Sequence, residues 1–97
     1  MSEYVLLCNF TDQGIRSIKD SRAHREAARE LGKKFGVQIK AFYLAMGAHD
    51  LIVHAEAASD DALTKWALSV ASKGNVRTTT VKVFPEAEYE KIISALA

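Results

Sequence analysis

Tyr43-Leu44-Ala45-Met46-Gly47-Ala48-His49-Asp50-Leu51-Ile52-Val53-His54 reads as a hairpin, and the remaining segments fall symmetrically around it. Residues 37 to 46 place Val37, Ile39, Ala41 and Tyr43 on one parity and Gln38, Lys40, Phe42 and Leu44 on the other. The segment is polar early and apolar late, which predicts an edge strand. Gly47-Ala48-His49 makes the turn, because glycine supplies the positive backbone angle that a tight connection often needs. Residues 50 to 56 return, with Leu51, Val53 and Ala55 on a helix-covered face and Asp50, Ile52, His54 and Glu56 on the other.

Upstream of the hairpin, residues 3 to 10 are a nearly continuous apolar run, which predicts a central strand covered on both faces. Cys8 lies within it and reads as a small core side chain. Thr11-Asp12-Gln13-Gly14 is turn-like, Ile15 and Ile18 are spaced for one helical turn, and Ser21 restarts a longer helix. On that helix His24, Ala27, Ala28, Leu31 and Phe35 form an apolar stripe. Arg22, Arg25, Arg29 and Lys33 lie on another side, a solvated face, and Glu30 and Lys34 form a favourable pair four residues apart. Gly36 is placed as a left-handed cap.

Downstream, Ser59-Asp60-Asp61 starts a second helix with a capping hydroxyl and two carboxylates in its first turn. Leu63, Trp66, Ala67 and Val70 form its buried stripe, Leu68 sits off it, and Gly74-Asn75 ends it. Residues 76 to 84 are rich in β-branched side chains and predict a fourth strand. Pro85 stops that strand and opens a last helix with Tyr89, Ile92, Ile93 and Leu96 on one side.

The order is therefore the α+β, ferredoxin-like βαββαβ pattern with an added C-terminal helix, over a single domain spanning residues 1–97. Helices on one side leave the other face of the sheet open. The first strand offers that face three or four apolar side chains, each worth roughly 1.5 to 3 kcal/mol if fully buried. The expectation is a homodimer whose sheets pack face to face into an α/β barrel, with Asp50, His54, Thr78 and Thr80 lining the remaining space. Leu6→Asp is the substitution expected to disrupt it. Leu68 and Trp66 are candidates for a further oligomer contact.

Thirteen Lys and Arg are balanced by 12 Asp and Glu, a net charge of +1, which argues against a nucleic-acid or membrane-surface role. No stretch approaches the ~20 apolar residues that span a bilayer. The start Met1-Ser2-Glu3 lacks the basic region of a signal peptide, so a cytoplasmic location is expected.

The hairpin, the opening Tyr4-Val5-Leu6-Leu7-Cys8-Asn9-Phe10-Thr11-Asp12-Gln13-Gly14-Ile15 and the later Gly74-Asn75-Val76-Arg77-Thr78-Thr79-Thr80 together resemble the GYD domain family of small bacterial proteins. That family is grouped with the dimeric ferredoxin-like α/β barrels. Gly47, Ala48, His49 and Asp50 match its Gly-x-Tyr-Asp pattern, with His49 where the family usually has tyrosine. The resemblance implies the fold and a dimer and carries over no catalytic residue. Histidine there removes a phenol and adds a group that titrates near neutral pH.

His49, Asp50 and His54 are the one concentration of acid and base side chains near the expected cavity. Asp50 and His54 share parity but stand about 13 Å apart at ~3.3 Å per residue, too far for a dyad. His49 and Asp50 could pair at the turn, though an aspartate in a turn more commonly accepts backbone hydrogen bonds. Three histidines and one cysteine without ligand spacing predict no metal site, and no cofactor is expected. Arg77 suits a carboxylate or other anion. The leading expectation is a homo-oligomer binding a small, partly apolar molecule in the sheet–helix cleft, with His24, Tyr43, His49, Asp50, His54 and Arg77 as ligand-facing residues. One alternative is a cofactor-independent isomerase or monooxygenase-like enzyme with a histidine base. A second is a structural or regulatory oligomer.

Overall fold

The apolar run near the start of the chain becomes the strand on which everything else is built. In the computed structural model, which describes residues 1–97, β1 (Ser2–Phe10) leads into α1 (Asp12–Arg16) and a 3-10 turn at Ile18–Asp20. Then come α2 (Ser21–Phe35), β2 (Val37–Leu44), β3 (Leu51–Ala57), α3 (Asp60–Ala71), β4 (Val76–Val83) and α4 (Glu86–Ser94). The four strands form one antiparallel sheet in the order β2-β3-β1-β4, the ferredoxin-like α+β arrangement with an added terminal helix.

Alternation along the central strands divides the sheet into two faces. Tyr4, Leu6, Cys8, Val53, Ala55 and Ala57 turn under α2 and α3 and are buried. Glu3, Val5, Leu7, Ile52 and His54 take the open face, where all are half-buried. Small residues let the helices sit close: a Cβ at Gly32 would lie 2.6 Å from the Val37 carbonyl oxygen. Across the helix pair, Trp66 Nε1 donates to the Ala28 carbonyl at 2.9 Å. Trp66 is thus a core residue and supplies no surface contact, whereas Leu68 is exposed. Leu6 likewise lies under the helices, so Leu6→Asp would break the core rather than probe the open face.

β2 departs from its expected parity. The register slips between Ile39 and Ala41, a β-bulge at Lys40. Val37 and Ile39 face the helices. Beyond the bulge Ala41 and Tyr43 lie opposite His54 and Ile52 on the open face, and Phe42, opposite Val53, turns under the helices. Apolar alternation carries no mark of one inserted residue. Lys40 instead reaches Glu56, at 3.1 Å. The strand ends at Leu44, and the connection is closed by the Ala45 N–H donating to the Asp50 carbonyl at 2.8 Å. Gly47 within it has φ 139°, a conformation favouring glycine.

The register of β4 also places Thr78 and Thr80, opposite Cys8 and Leu6, on the helix side, and leaves Arg77, Thr79, Val81 and Val83 on the open face. On α2, Glu30 pairs with Lys33 at 3.0 Å rather than with Lys34, and Arg29 lies over the Phe42 ring at 4.8 Å rather than in solvent alone. α4 has no buried residue, and Tyr89, Ile92 and Ile93 stay exposed along it. The radius of gyration, 14.6 Å, exceeds the about 12.5 Å of a compact chain this long, as a projecting helix requires. No helix is long and apolar enough to cross a membrane.

Candidate functional site

The helices do not cover the sheet evenly, and where they part there is a cavity of about 320 Å³. Leu6, Cys8 and Val53 form its floor; Ala28, Leu31 and Trp66 lie on the helix side; Phe42, turned inward by the bulge, closes one flank. Thirteen of its 20 lining residues are hydrophobic, so the space favours an apolar body. The stripe on α2 is consequently only half sealed: Ala28 is buried, His24 and Leu31 border the cavity, and Ala27 lies at the rim.

The polar lining residues are Ser21, His24, Arg25, Lys73, Asn75 and Thr78, and of these the pair before β4 is held by bonds to the turn after β1. Thr11 caps α1, its hydroxyl accepting from the Gly14 N–H at 3.1 Å and donating to the Gly74 carbonyl. The Thr11 N–H donates to the Asn75 carbonyl at 3.1 Å, and a Cβ at Gly14 would fall 2.0 Å from that same oxygen. Gln13 Nε2 donates to the Lys73 carbonyl at 2.9 Å and to Asn75 Oδ1 at 3.0 Å. The turn after β1 and the turn before β4 are thereby tied together, which holds Lys73 and Asn75 at the cavity edge. Burial pushes the Cys8 thiol up to about 11. At neutral pH it is a protonated wall group rather than a nucleophile.

Of the residues singled out in the sequence, His24 lines this cavity. Tyr43, His54 and Arg77 lie on the opposite face of the sheet, where His54 Nε2 stands 2.6 Å from Glu3 Oε1. Asp50 accepts from the Phe10 N–H at 3.0 Å while its own N–H donates to the Cys8 carbonyl at 2.9 Å, so it ties the end of β1 to the hairpin. His49 does not pair with Asp50; its Nδ1 lies 3.0 Å from Asn9 Oδ1, and Asn9 Nδ2 donates to the Ala48 carbonyl at 3.0 Å. With the Asn9 amide so oriented, His49 Nδ1 carries the proton. These residues form two groups, at the hairpin and on the open face, apart from the cavity.

Sequence reading misses Arg25 and Lys73. Helical spacing groups Arg25 with the solvated row, yet it lines the cavity. The signal is its place at the edge of the apolar stripe, next to His24 and three residues before Ala28. Also missed is a cluster beside the start of α3. The Tyr4 hydroxyl donates to Asp60, and the Lys82 ammonium lies 3.0 Å from the same carboxylate. Burial, with that hydrogen bond, raises the Tyr4 pKa, while Tyr4 and then Lys82 hold Asp60 below the usual carboxylate range. The cluster fastens α3 to β1 and β4. No group of three or more His, Cys, Asp or Glu converges as metal ligands would.

A ferredoxin-like α+β sheet with a lined cleft beneath its helices defines the class of protein. The GYD domain family model matches residues 4–93, and the chain belongs to that family. It is 30% identical over 89 residues to the glutamine synthetase and cystathionine beta-lyase binding protein of Thermus thermophilus, covering 91% of this chain and 94% of that one. Among solved structures it is similar in fold to TTHA0845, also from Thermus thermophilus, with TM-score 0.62, 22% identity, and 87% and 94% of the two chains covered. The feast or famine regulatory protein of M. tuberculosis, complexed with L-methionine, shares the fold at TM-score 0.66 and 18% identity over 87% of this chain. The matched region is 50% of that regulator's chain.

Proposed function

We propose that this protein is a binding module whose cavity between sheet and helices takes a small, partly apolar molecule. The carrying observation is the cavity itself: about 320 Å³ with a mostly hydrophobic lining, at the low end of ordinary ligand pockets. The protein works as a homo-oligomer, because Val5, Leu7, Ile52, Val81 and Val83 leave an apolar surface on the open face that a second sheet buries. His49, Asp50, His54, Tyr43 and Arg77 then lie at or near the contact between copies, and His24 at the ligand. The cytoplasm is the compartment in which this reading sits.

The neutral fluorophore N-phenyl-1-naphthylamine tests it. Its emission rises on binding to the wild type, and Ala27→Trp, which fills the rim from the helix side, abolishes the rise while leaving the far-UV circular dichroism unchanged. An undiminished rise in Ala27→Trp contradicts the assignment. A second reading, docking onto a larger enzyme, is favoured by the exposed side of α4 and by the name of the Thermus relative. Deleting residues 86 to 97 separates the two: it spares fluorophore binding if the cavity is the site.

A further inference from the structure

The cavity has unlike ends, and their arrangement follows from topology. β1 and β2 both run antiparallel to β3, and β4 runs antiparallel to β1. The connecting helices α2 and α3 are therefore antiparallel to each other, and the Trp66 Nε1 bond to the Ala28 carbonyl fixes their alignment. Ser21, His24 and Arg25 precede Ala28 by up to two turns, and Lys73 and Asn75 follow Trp66 by about two turns. Both displacements point to the same end of the cavity, so the polar residues of the two segments gather there. Leu31, Phe42 and Val53 line the other end, while Phe10, Ile18, Leu51 and Val76 add apolar lining beside the polar residues.

That polar end carries one sign of charge. Arg25 and Lys73 line the cavity, and none of the 20 lining residues is an aspartate or glutamate. Overall charge balance, 13 basic to 12 acidic residues, does not force such segregation. Neither cation has a carboxylate within 4.0 Å, in contrast to Lys82, which pairs with Asp60, so both remain available to an anion. Arg25 Nε donates to the Ser21 carbonyl at 3.4 Å, a long bond that lays the side chain back along its helix and uses none of its terminal nitrogens. Guanidinium and ammonium are the groups that recognise carboxylates; Arg25 is half-buried and Lys73 is exposed at the cavity edge.

Resting on the binding reading above, we propose that the ligand is an amphipathic carboxylate: an apolar body held among Leu31, Phe42 and Val53, and a carboxylate held between Arg25 and Lys73, with Ser21 and Thr78 as hydroxyl donors nearby. A free α-ammonium is disfavoured in the same place, because no carboxylate lines the cavity to receive it. The site selects an acid over the matching alcohol, and a des-amino acid over the amino acid.

Competition against N-phenyl-1-naphthylamine tests this with four compounds: octanoate, 1-octanol, octyltrimethylammonium and L-methionine. Octanoate displaces the fluorophore about tenfold more tightly than 1-octanol, the scale of one charge-assisted hydrogen bond, and the cation and L-methionine are weaker still. In the double variant Arg25→Met, Lys73→Met, fluorophore binding persists, octanoate falls to the level of 1-octanol, and 1-octanol is unchanged. Equal displacement by all four, or an octanoate preference that survives the double variant, overturns the carboxylate assignment and leaves the cavity reading standing. Tighter displacement by L-methionine than by octanoate also overturns it. If the fluorophore does not bind the wild type at all, the binding reading itself fails.

Discussion

On the helix side of the sheet, Tyr4, Leu6, Cys8, Val53, Ala55 and Ala57 are each 3% exposed or less, and one edge of that packing opens into a cavity. On the other side of the same strands Val5, Leu7 and Ile52 are only half-buried, with the pairs Glu3–His54 and Lys40–Glu56 laid among them. The two faces share a backbone, and both present apolar side chains, Tyr4, Leu6, Cys8 and Val53 on one and Val5, Leu7 and Ile52 on the other. What separates them is the layer above. Small residues at Gly32, Ala28, Ala55 and Ala57 let α2 and α3 descend onto one face, and the packing that results leaves a cavity where it falls short. The other face has no helix above it and is interrupted by charge pairs.

The largest break in this contrast comes from the sealed part of the helix side. Trp66→Ala removes a 2% exposed side chain and its bond to the Ala28 carbonyl; urea unfolding is expected to show a loss of about 3–5 kcal/mol. A loss below about 1 kcal/mol would mean that the helix pair is not the core. Gly14→Ala drives a Cβ onto the Asn75 carbonyl and should cost about 1–3 kcal/mol. It should weaken displacement of N-phenyl-1-naphthylamine by octanoate as well, because Lys73 and Asn75 are held by that joint. Loss of stability with that displacement intact would separate the joint from the site.

The open face responds differently. Leu7→Asp should lower the mass measured by light scattering to that of a monomer while the far-UV circular dichroism stays that of the folded chain, whereas Leu6→Asp, one residue away, should unfold the protein. An unchanged mass for Leu7→Asp places the contact elsewhere. The smallest effect is at the exposed end of α3. Asp60 is held below its ordinary range by Tyr4 and Lys82, so its contribution is present above the usual carboxylate pKa, about 4, and disappears as pH falls through the lowered value. The advantage of the wild type over Asp60→Asn in urea midpoint should therefore shrink on acidification. A gap that widens toward low pH would reverse the sign and contradict the network.

Element order, the hairpin at Gly47, the caps at Ser59 and Gly36 and the buried stripe of α3 are all legible in the sequence, because each is written in local periodicity or in a residue with a special backbone preference; α3, however, ends at Ala71 with Ser72 as its cap, and Gly74 serves the turn beyond. The bulge at Lys40 is not legible. One extra residue reverses every side chain beyond it, sending Tyr43 to the open face and Phe42 into the cavity, and no local residue type announces it. The cavity is legible as a sheet–helix cleft and His24 as its neighbour. Arg25 and Lys73 are not, because their place on the cavity depends on how α2 and α3 are aligned, with Trp66 bonded to the Ala28 carbonyl between them. His49 and Asp50 draw attention through chemistry-bearing side chains, yet Asn9 and the Phe10 N–H, distant in sequence, are what they meet.

Methyl-resolved NMR of the wild type titrated with N-phenyl-1-naphthylamine addresses the two faces at once. The account predicts shifts concentrated at Leu6, Leu31, Leu51, Val53, Val70 and Val76, which line the cavity, while Val5, Leu7, Ile52 and Val81 hold their positions. Shifts confined to Val5, Leu7, Ile52 and Val81 would put the ligand on the open face and contradict it.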